Sequence, residues 1–233
     1  MVYGQTATNR SIGYLPDVPE FYGFMTPSEY LTFCGEITGM EKKEVLSRTE
    51  ELLKLVGLSG EKHRIKGFSR GMKQRLGIAQ ALLCRPKLLI CDEPTSALDP
   101  VGRKEILDIL QAVKEQTTVL FSTHILSDVE RICTDIAFLH DGVVCMQGKL
   151  SDLKNGKRTE EYRIETEREA DAKVLAETIP GCTLSGERKL LFREDSITVF
   201  ELMRFLADRE IMLIGLERME PSLEALFMEV VKK

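Results

Sequence analysis

The sequence predicts an α/β fold: a parallel sheet with helices packed on it, a helical subdomain inserted before the later strands, and a small α+β domain towards the C-terminus. Three observations lead there. Residues 88–91 and 119–121 are short unbroken apolar runs at the centres of strands over 87–91 and 117–122, each followed by an amphipathic stretch. Residues 26–83 instead place their apolar side chains at helical spacing, with no strand-like alternation. Beyond residue 160 the order is strand, helix, strand, strand, helix, strand, which is a split βαβ unit.

The elements follow in order. Residues 1–10 hold no complete opening element, only a strand end, and Ser11–Leu15 reads as a short strand. Thr26 caps a helix, Pro27 takes its first position and Glu29 completes a capping box. A second helix over about 42–56 gathers Val45, Leu46, Leu52, Leu53 and Val56 on one face, and Gly57 ends it. A third starts after Ser69 and runs to about Leu83, with Leu76, Ala79 and Leu83 inward. Lys87–Cys91 is a buried strand, and a helix of about 101–115 follows it. Residues 117–122 form a second buried strand, before a helix of about 125–133. Residues 135–140 and 143–147 flank Asp141-Gly142, a hairpin turn pair.

The polar stretch 149–161, with Asn155-Gly156, marks a boundary between residues 1–150 and an accessory domain over 160–233. In that domain strands are expected at 161–165, 182–185, 189–193 and 211–216, with helices at about 170–179 and 197–208, a ferredoxin-like or similar arrangement. A last amphipathic helix starts near Pro221, with Leu223, Leu226, Phe227 and Val230 or Val231 as its apolar face.

A formal net charge of −5 argues against a nucleic-acid binder that works through bulk positive charge. The apolar runs, such as residues 211–216, are far too short to span a bilayer, and the N-terminus lacks the basic-then-apolar order of a signal peptide. The six cysteines at 34, 84, 91, 133, 145 and 182 include no C-x-x-C pair. They suit reduced, buried thiols better than disulfides or a zinc site.

Chemistry concentrates at the strand ends. Asp92 and Glu93 close one apolar strand, and His124 lies just past the end of another. In a parallel sheet both positions face the carboxyl edge, where ligands gather. An acidic pair after a strand also occurs as a solvated loop or helix cap. The surrounding motifs favour a site.

Residues 88–100, LLICDEPTSALDP, resemble the Walker B and D-loop of ABC-type ATPases, which carry a P-loop NTPase domain. Residues 68–75, FSRGMKQR, resemble the signature motif of that family, TVLFSTH supplies an H-loop histidine, and IGYLP at 12–16 resembles the lead into the Q-loop. Four motifs in the family order over about 110 residues make a specific match. The accessory domain and the PSLEALFMEVV ending are similar to an export-type, ABC-2-like subfamily whose ATPase subunits pair with separate permeases.

The resemblance implies roles. Asp92 would hold Mg²⁺ directly or through water, and Glu93 would polarise or orient the attacking water. His124 would donate to the γ-phosphate. Ser69, Arg70 and Gly71 open a helix, so their amides and the Ser69 hydroxyl would face a phosphate held by a second protomer. Asp99 would lie near the dimer seam. ATP and Mg²⁺ are the implied cofactors.

The sequence departs from the family at three places. No G-x-x-x-x-G-K-[ST] occurs in the 233 residues. The resemblance puts the P-loop, its strand and the adenine-stacking aromatic upstream of Met1, so an N-terminally truncated chain that does not hydrolyse ATP alone is expected. A late start, a truncated, a split and a decayed gene remain alternatives. Asp17 stands where the family usually has glutamine; it is either a ligand to Mg²⁺ or its water, or a plain loop aspartate. Arg70 replaces a glycine and Met72 a glutamine of the signature, so the usual capping box loses its second half. Arg70 joins Arg64, Lys66, Lys73 and Arg75 in a basic patch that is either a phosphate contact or a solvated face.

Phe21, Tyr22 and Phe24 crowd the loop at 16–30, where the family receives its permease; they either dock that partner or fill the subdomain core. The expected partners are thus a transmembrane permease and a second ATPase protomer, homo- or heterodimeric, with no nucleic acid. The expected location is the cytoplasm, peripheral at the inner membrane face. A non-catalytic remnant that pairs with an intact ATPase is the alternative function. An SMC- or repair-type half is rejected, since residues 18–60 lack long heptads.

Overall fold

The computed structural model describes residues 11–155, 161–193, 197–219 and 223–231. Contacts divide the chain into two compact units, Met1–Cys133 and Thr134–Lys233.

The first unit is built on three parallel strands in the order β1 (Ile12–Leu15), β2 (Leu88–Asp92) and β3 (Thr118–Ser122). Leu15 pairs with Cys91, and Asp92 with Ser122, so all three carboxyl ends share one edge. Between β1 and β2 lie α1 (Pro27–Ile37), α2 (Lys42–Leu55), a 3-10 turn (Ile65–Gly67) and α3 (Arg70–Ala81). After β2 comes α4 (Pro100–Val113), and after β3 comes α5 (Leu126–Ile132). Leu15, Leu31, Leu52, Leu76, Leu89, Ile106 and Leu110 are buried in one cluster that joins sheet and helices.

The local signals explain these elements. The Thr26 hydroxyl accepts from the Glu29 amide at 3.3 Å, and Glu29 Oε2 accepts from the Thr26 amide at 2.8 Å, completing the expected capping box. Gly57 closes α2 at φ +66°. Leu46 does not join the buried face of α2. It stands about 100° round the helix from Val45, and the buried stripe runs instead through Val45, Thr49, Leu52 and Val56. α3 packs on β1 at very short range: a Cβ on Gly13 would lie 2.3 Å from the carbonyl oxygen of Ala81. This contact holds the C-terminal end of α3 against the middle of β1.

The second unit has its own core, formed by Ile164, Leu175, Leu190, Phe192, Leu202 and neighbours. Its antiparallel sheet runs β7 (Thr183–Leu184), β8 (Lys189–Arg193), β6 (Glu161–Thr166), β9 (Leu213–Arg218), with α7 (Glu169–Thr178) and α8 (Val199–Asp208) as the connecting helices. This strand order is the split βαβ arrangement. A hairpin, β4 (Asp135–His140) and β5 (Val143–Lys149), precedes it. Asp141 and Gly142 turn it with φ of +48° and +76°, as a type I′ turn requires.

A short helix, α6 (Leu150–Asn155), occupies the start of the polar stretch where only a boundary is expected. The division by contacts falls earlier, at 133/134, because the hairpin belongs with the C-terminal half: Phe138 meets Phe227 of α9 (Leu223–Val231) with ring centroids 5.4 Å apart. Leu223 and Leu226 of α9 are buried. The expected strand end in residues 1–10, Gly156, Pro221 and the side chains of Val230 and Val231 lie outside the described residues.

Candidate functional site

Asp92, Glu93 and His124 come together at the carboxyl edge of the parallel sheet, joined through Ser122. The Ser122 hydroxyl donates to Asp92 Oδ1 at 2.7 Å. The Glu93 amide reaches the Ser122 carbonyl and hydroxyl oxygens, each at 3.2 Å. Glu93 holds φ +45°, a left-handed conformation that costs an L-residue about 1–2 kcal/mol. Strain of this kind gathers at functional sites.

Nδ1 of His124 lies 3.0 Å from both carboxylate oxygens of Glu93. Facing a carboxylate, that nitrogen carries a proton, so a neutral His124 presents a lone pair at Nε2. Donation from Nε2 towards a phosphate then needs the imidazolium form. The ring is 72% exposed, open to a partner from outside the unit.

Ser122 is missing from the sequence reading. Its signal is the register of β2 against β3, which sets it opposite Asp92. A second overlooked residue is Asp128, whose carboxylate is buried. It accepts from the Thr95 hydroxyl at 2.7 Å and from Arg103 Nε at 2.6 Å, while Arg103 also reaches the Ser127 hydroxyl. Asp128 thereby ties the segment just after Glu93 to α4 and α5.

Ser69 caps α3, its Oγ accepting from the Met72 amide at 3.2 Å. Only this half of a capping box is made, as the Met72 replacement implies. Ser69, Arg70 and Gly71 line a cleft of about 280 Å³ together with Ala97, Leu98 and Asp99. Asp99 itself caps α4, with Oδ1 accepting from the Gly102 amide at 3.1 Å.

Asp17 and Arg70 stand apart from these roles. An Arg70 guanidinium nitrogen donates to Asp17 Oδ1 at 2.9 Å. The carboxylate expected at a metal and the cation expected at a phosphate are thus paired with each other. Gln74 Nε2 also donates to the Asp17 carbonyl oxygen at 2.7 Å.

The aromatics of the 16–30 loop do not all fill the subdomain core. Phe21 packs on the core and meets Tyr30 edge-on at 5.1 Å, while Tyr22 and Phe24 stay exposed. All six cysteines are free thiols. Among the described residues, no group of three or more His, Cys, Asp or Glu could hold a metal ion by itself, and no helix is long and apolar enough to cross a membrane. A hard ion that keeps its waters and takes one or two carboxylates plus phosphate oxygens fits such a donor set; Mg²⁺ is that kind of ion.

Comparison with known proteins finds relatives of this chain. The family profile described as ABC transporter matches residues 3–96. The uncharacterised ABC transporter ATP-binding protein YxlF of Bacillus subtilis (strain 168) is 38% identical over 232 residues, which cover 95% of this chain and 76% of YxlF. The bacitracin transport ATP-binding protein BcrA of Bacillus licheniformis is 40% identical over 156 residues, 66% of this chain but only 49% of BcrA. A solved ATP binding subunit of an ABC transporter superposes with a TM-score of 0.57 at 33% identity, covering 66% of this chain and 65% of that one. The chain belongs to the ATP-binding proteins of ABC transporters.

Proposed function

We propose that this chain supplies the metal-handling and water-handling half of an ATP site that powers export through a separate membrane permease. The observation that carries the reading is the Asp92–Ser122–Glu93–His124 group at the carboxyl edge of the parallel sheet. Residues 1–150 would form the partial ATPase domain, with 160–233 as an accessory domain.

Each residue has a task in that reading. Asp92 would hold Mg²⁺ or one of its waters, with Ser122 fixing one carboxylate oxygen. Bound Mg²⁺ neutralises charge on the phosphate oxygens. Glu93 would orient and polarise the attacking water, with His124 holding the carboxylate in place. Ser69 and Gly71 would present the positive end of α3 to a nucleotide on a second protomer, with Asp99 across the same cleft. Exposed Tyr22 and Phe24 would meet the permease, which would hold the chain at the cytoplasmic face of the membrane.

The 233 residues contain no G-x-x-x-x-G-K-[ST]. Phosphate binding in P-loop enzymes rests on that loop's amides and lysine. The 233-residue chain is therefore expected to show no Mg-ATP turnover alone. Fusing a strand–G-x-x-x-x-G-K-[ST]–helix segment of the ABC-type family to the N-terminus should create turnover, and Glu93→Gln or Asp92→Asn should abolish it in the fusion. Turnover by the chain alone, or a fusion indifferent to Glu93→Gln, would overturn the reading.

One observation favours a second reading. The cleft between the start of α3 and Asp99 is complete within this chain. The chain would then act as a non-catalytic partner of an intact ATPase, offering only that face. Stable co-purification with a P-loop-bearing subunit whose turnover ignores Glu93→Gln in this chain would select it.

A further inference from the structure

Two of the departures from the family pattern outside the P-loop, Asp17 and Arg70, are 53 residues apart in sequence and touch in space. Gln74 grips the same residue through its main chain, at 2.7 Å. Arg70 and Gln74 are i and i+4 on α3, hence on one face of that helix. Gln74 is fully buried, so its hold on the Asp17 carbonyl is shielded from water, whereas Arg70 and Asp17 are each about 40% exposed. One residue of the loop is therefore held twice, by a buried amide and by a water-accessible ion pair. The pair forms part of the wall of a cleft of about 470 Å³ bounded by residues 17–21, Lys66 and Lys73.

We propose that Arg70 is a positioning residue that acts through Asp17: the Asp17–Arg70 pair, seated on the Gln74 hydrogen bond, latches the loop after β1 to the first turn of α3. The latch occupies Asp17 with a guanidinium rather than a metal ion. Ser69 caps the same turn, accepting from the Met72 amide. A displacement of residues 17–23 then either carries the cap of α3 with it or opens the ion pair. Asp17 and Arg70 work as a single substituted unit, and each loses its role when the other is neutralised. None of this rests on the nucleotide chemistry proposed above.

Hydrogen exchange on the purified 233-residue chain tests the latch without nucleotide or partner. Four variants are compared with the parent: Asp17→Asn, Arg70→Gln, the double neutral variant, and the reversed pair Asp17→Arg with Arg70→Asp. Each single variant should speed exchange at the amides of Met25, Ile65 and Lys66, which bond within or onto the loop, and at those of Met72 and Lys73, by about threefold, the range of a half-exposed pair. The double neutral variant should be no faster than either single one, because the interaction is already lost. The reversed pair should regain at least half of the protection. In 1 M salt the parent should approach the neutral variants. Both side chains are far from fully buried, so all four proteins should fold, which far-ultraviolet circular dichroism verifies. Unchanged exchange in the single variants, additive effects in the double, or a reversed pair as fast as the neutral ones would each overturn the proposal.

Discussion

Glu93 illustrates how one residue can work against the fold that holds it. Its left-handed φ of +45° costs about 1–2 kcal/mol. Glycine adopts that conformation freely but loses roughly 0.5–1 kcal/mol more backbone entropy on folding. The contact with the exposed His124 ring returns at most about 1 kcal/mol, and less in salt. The balance predicts that Glu93→Gly shifts stability only slightly, between a loss of about 1 and a gain of about 1.5 kcal/mol, while removing the carboxylate. Urea unfolding measures this. A loss of more than about 1 kcal/mol would show that the Glu93 side chain contributes more to the fold than its strain takes away. The identities of Asp92, Glu93 and His124 were legible as residue types at strand ends. The strain at Glu93 and the part of Ser122 were not, because both depend on β2 meeting β3 in one particular register.

Elements show the same division between local and distant causes. The capping box at Thr26 and Glu29, the Gly57 stop and the Asp141-Gly142 turn were legible, since each is a property of three or four neighbouring residues. The exposure of Leu46 was not, because which edge of the α2 stripe is covered depends on what packs against it. Asp128 was invisible for the same reason: its partners Thr95 and Arg103 lie 33 and 25 residues away. It holds three elements with a buried carboxylate, so Asp128→Ala strands the Thr95 hydroxyl and the Arg103 guanidinium. Arg103 keeps some access to water, which trims the usual cost of breaking a buried pair to roughly 2–3 kcal/mol. Equilibrium unfolding should show this loss, with exchange rising first at residues 93–99. Gly13→Ala probes the β1–α3 contact. The new methyl would meet a backbone oxygen rather than a flexible side chain, so a loss of roughly 1–3 kcal/mol is expected. A thermal scan that shows no change would mean that β1 and α3 can slide apart at no cost.

On the scale of the whole molecule, the cysteines sample both units and give each a pH dependence of known sign. Burial pushes the Cys91 thiol up to about 12, and the thiols of buried Cys182 and partly buried Cys133 up to about 11, from an ordinary value of 9. Cys133 is also raised by the nearby Asp128 carboxylate. In the unfolded chain these thiols ionise near pH 9, whereas the folded protein keeps them protonated. Their effect on stability is therefore absent below about pH 9, and the fold loses stability progressively as pH rises from there towards the folded values. For Cys91, which is almost wholly buried, the loss by pH 10.5 amounts to roughly 1–2 kcal/mol. Tyrosines and lysines titrate in the same range, so the comparison must be internal. Cys91→Ala should lower stability at pH 8 by leaving a small cavity, yet its stability should fall less steeply between pH 8 and 10.5 than that of the parent. Thiol labelling supplies the matching kinetic picture. Exposed Cys145 should react at pH 8 in the native protein, while Cys91 and Cys182 should react only as their own unit opens. Parallel pH profiles for the parent and Cys91→Ala would show that the Cys91 thiol is reached by water in the native state, and with it the core between β2 and the helices of the first unit.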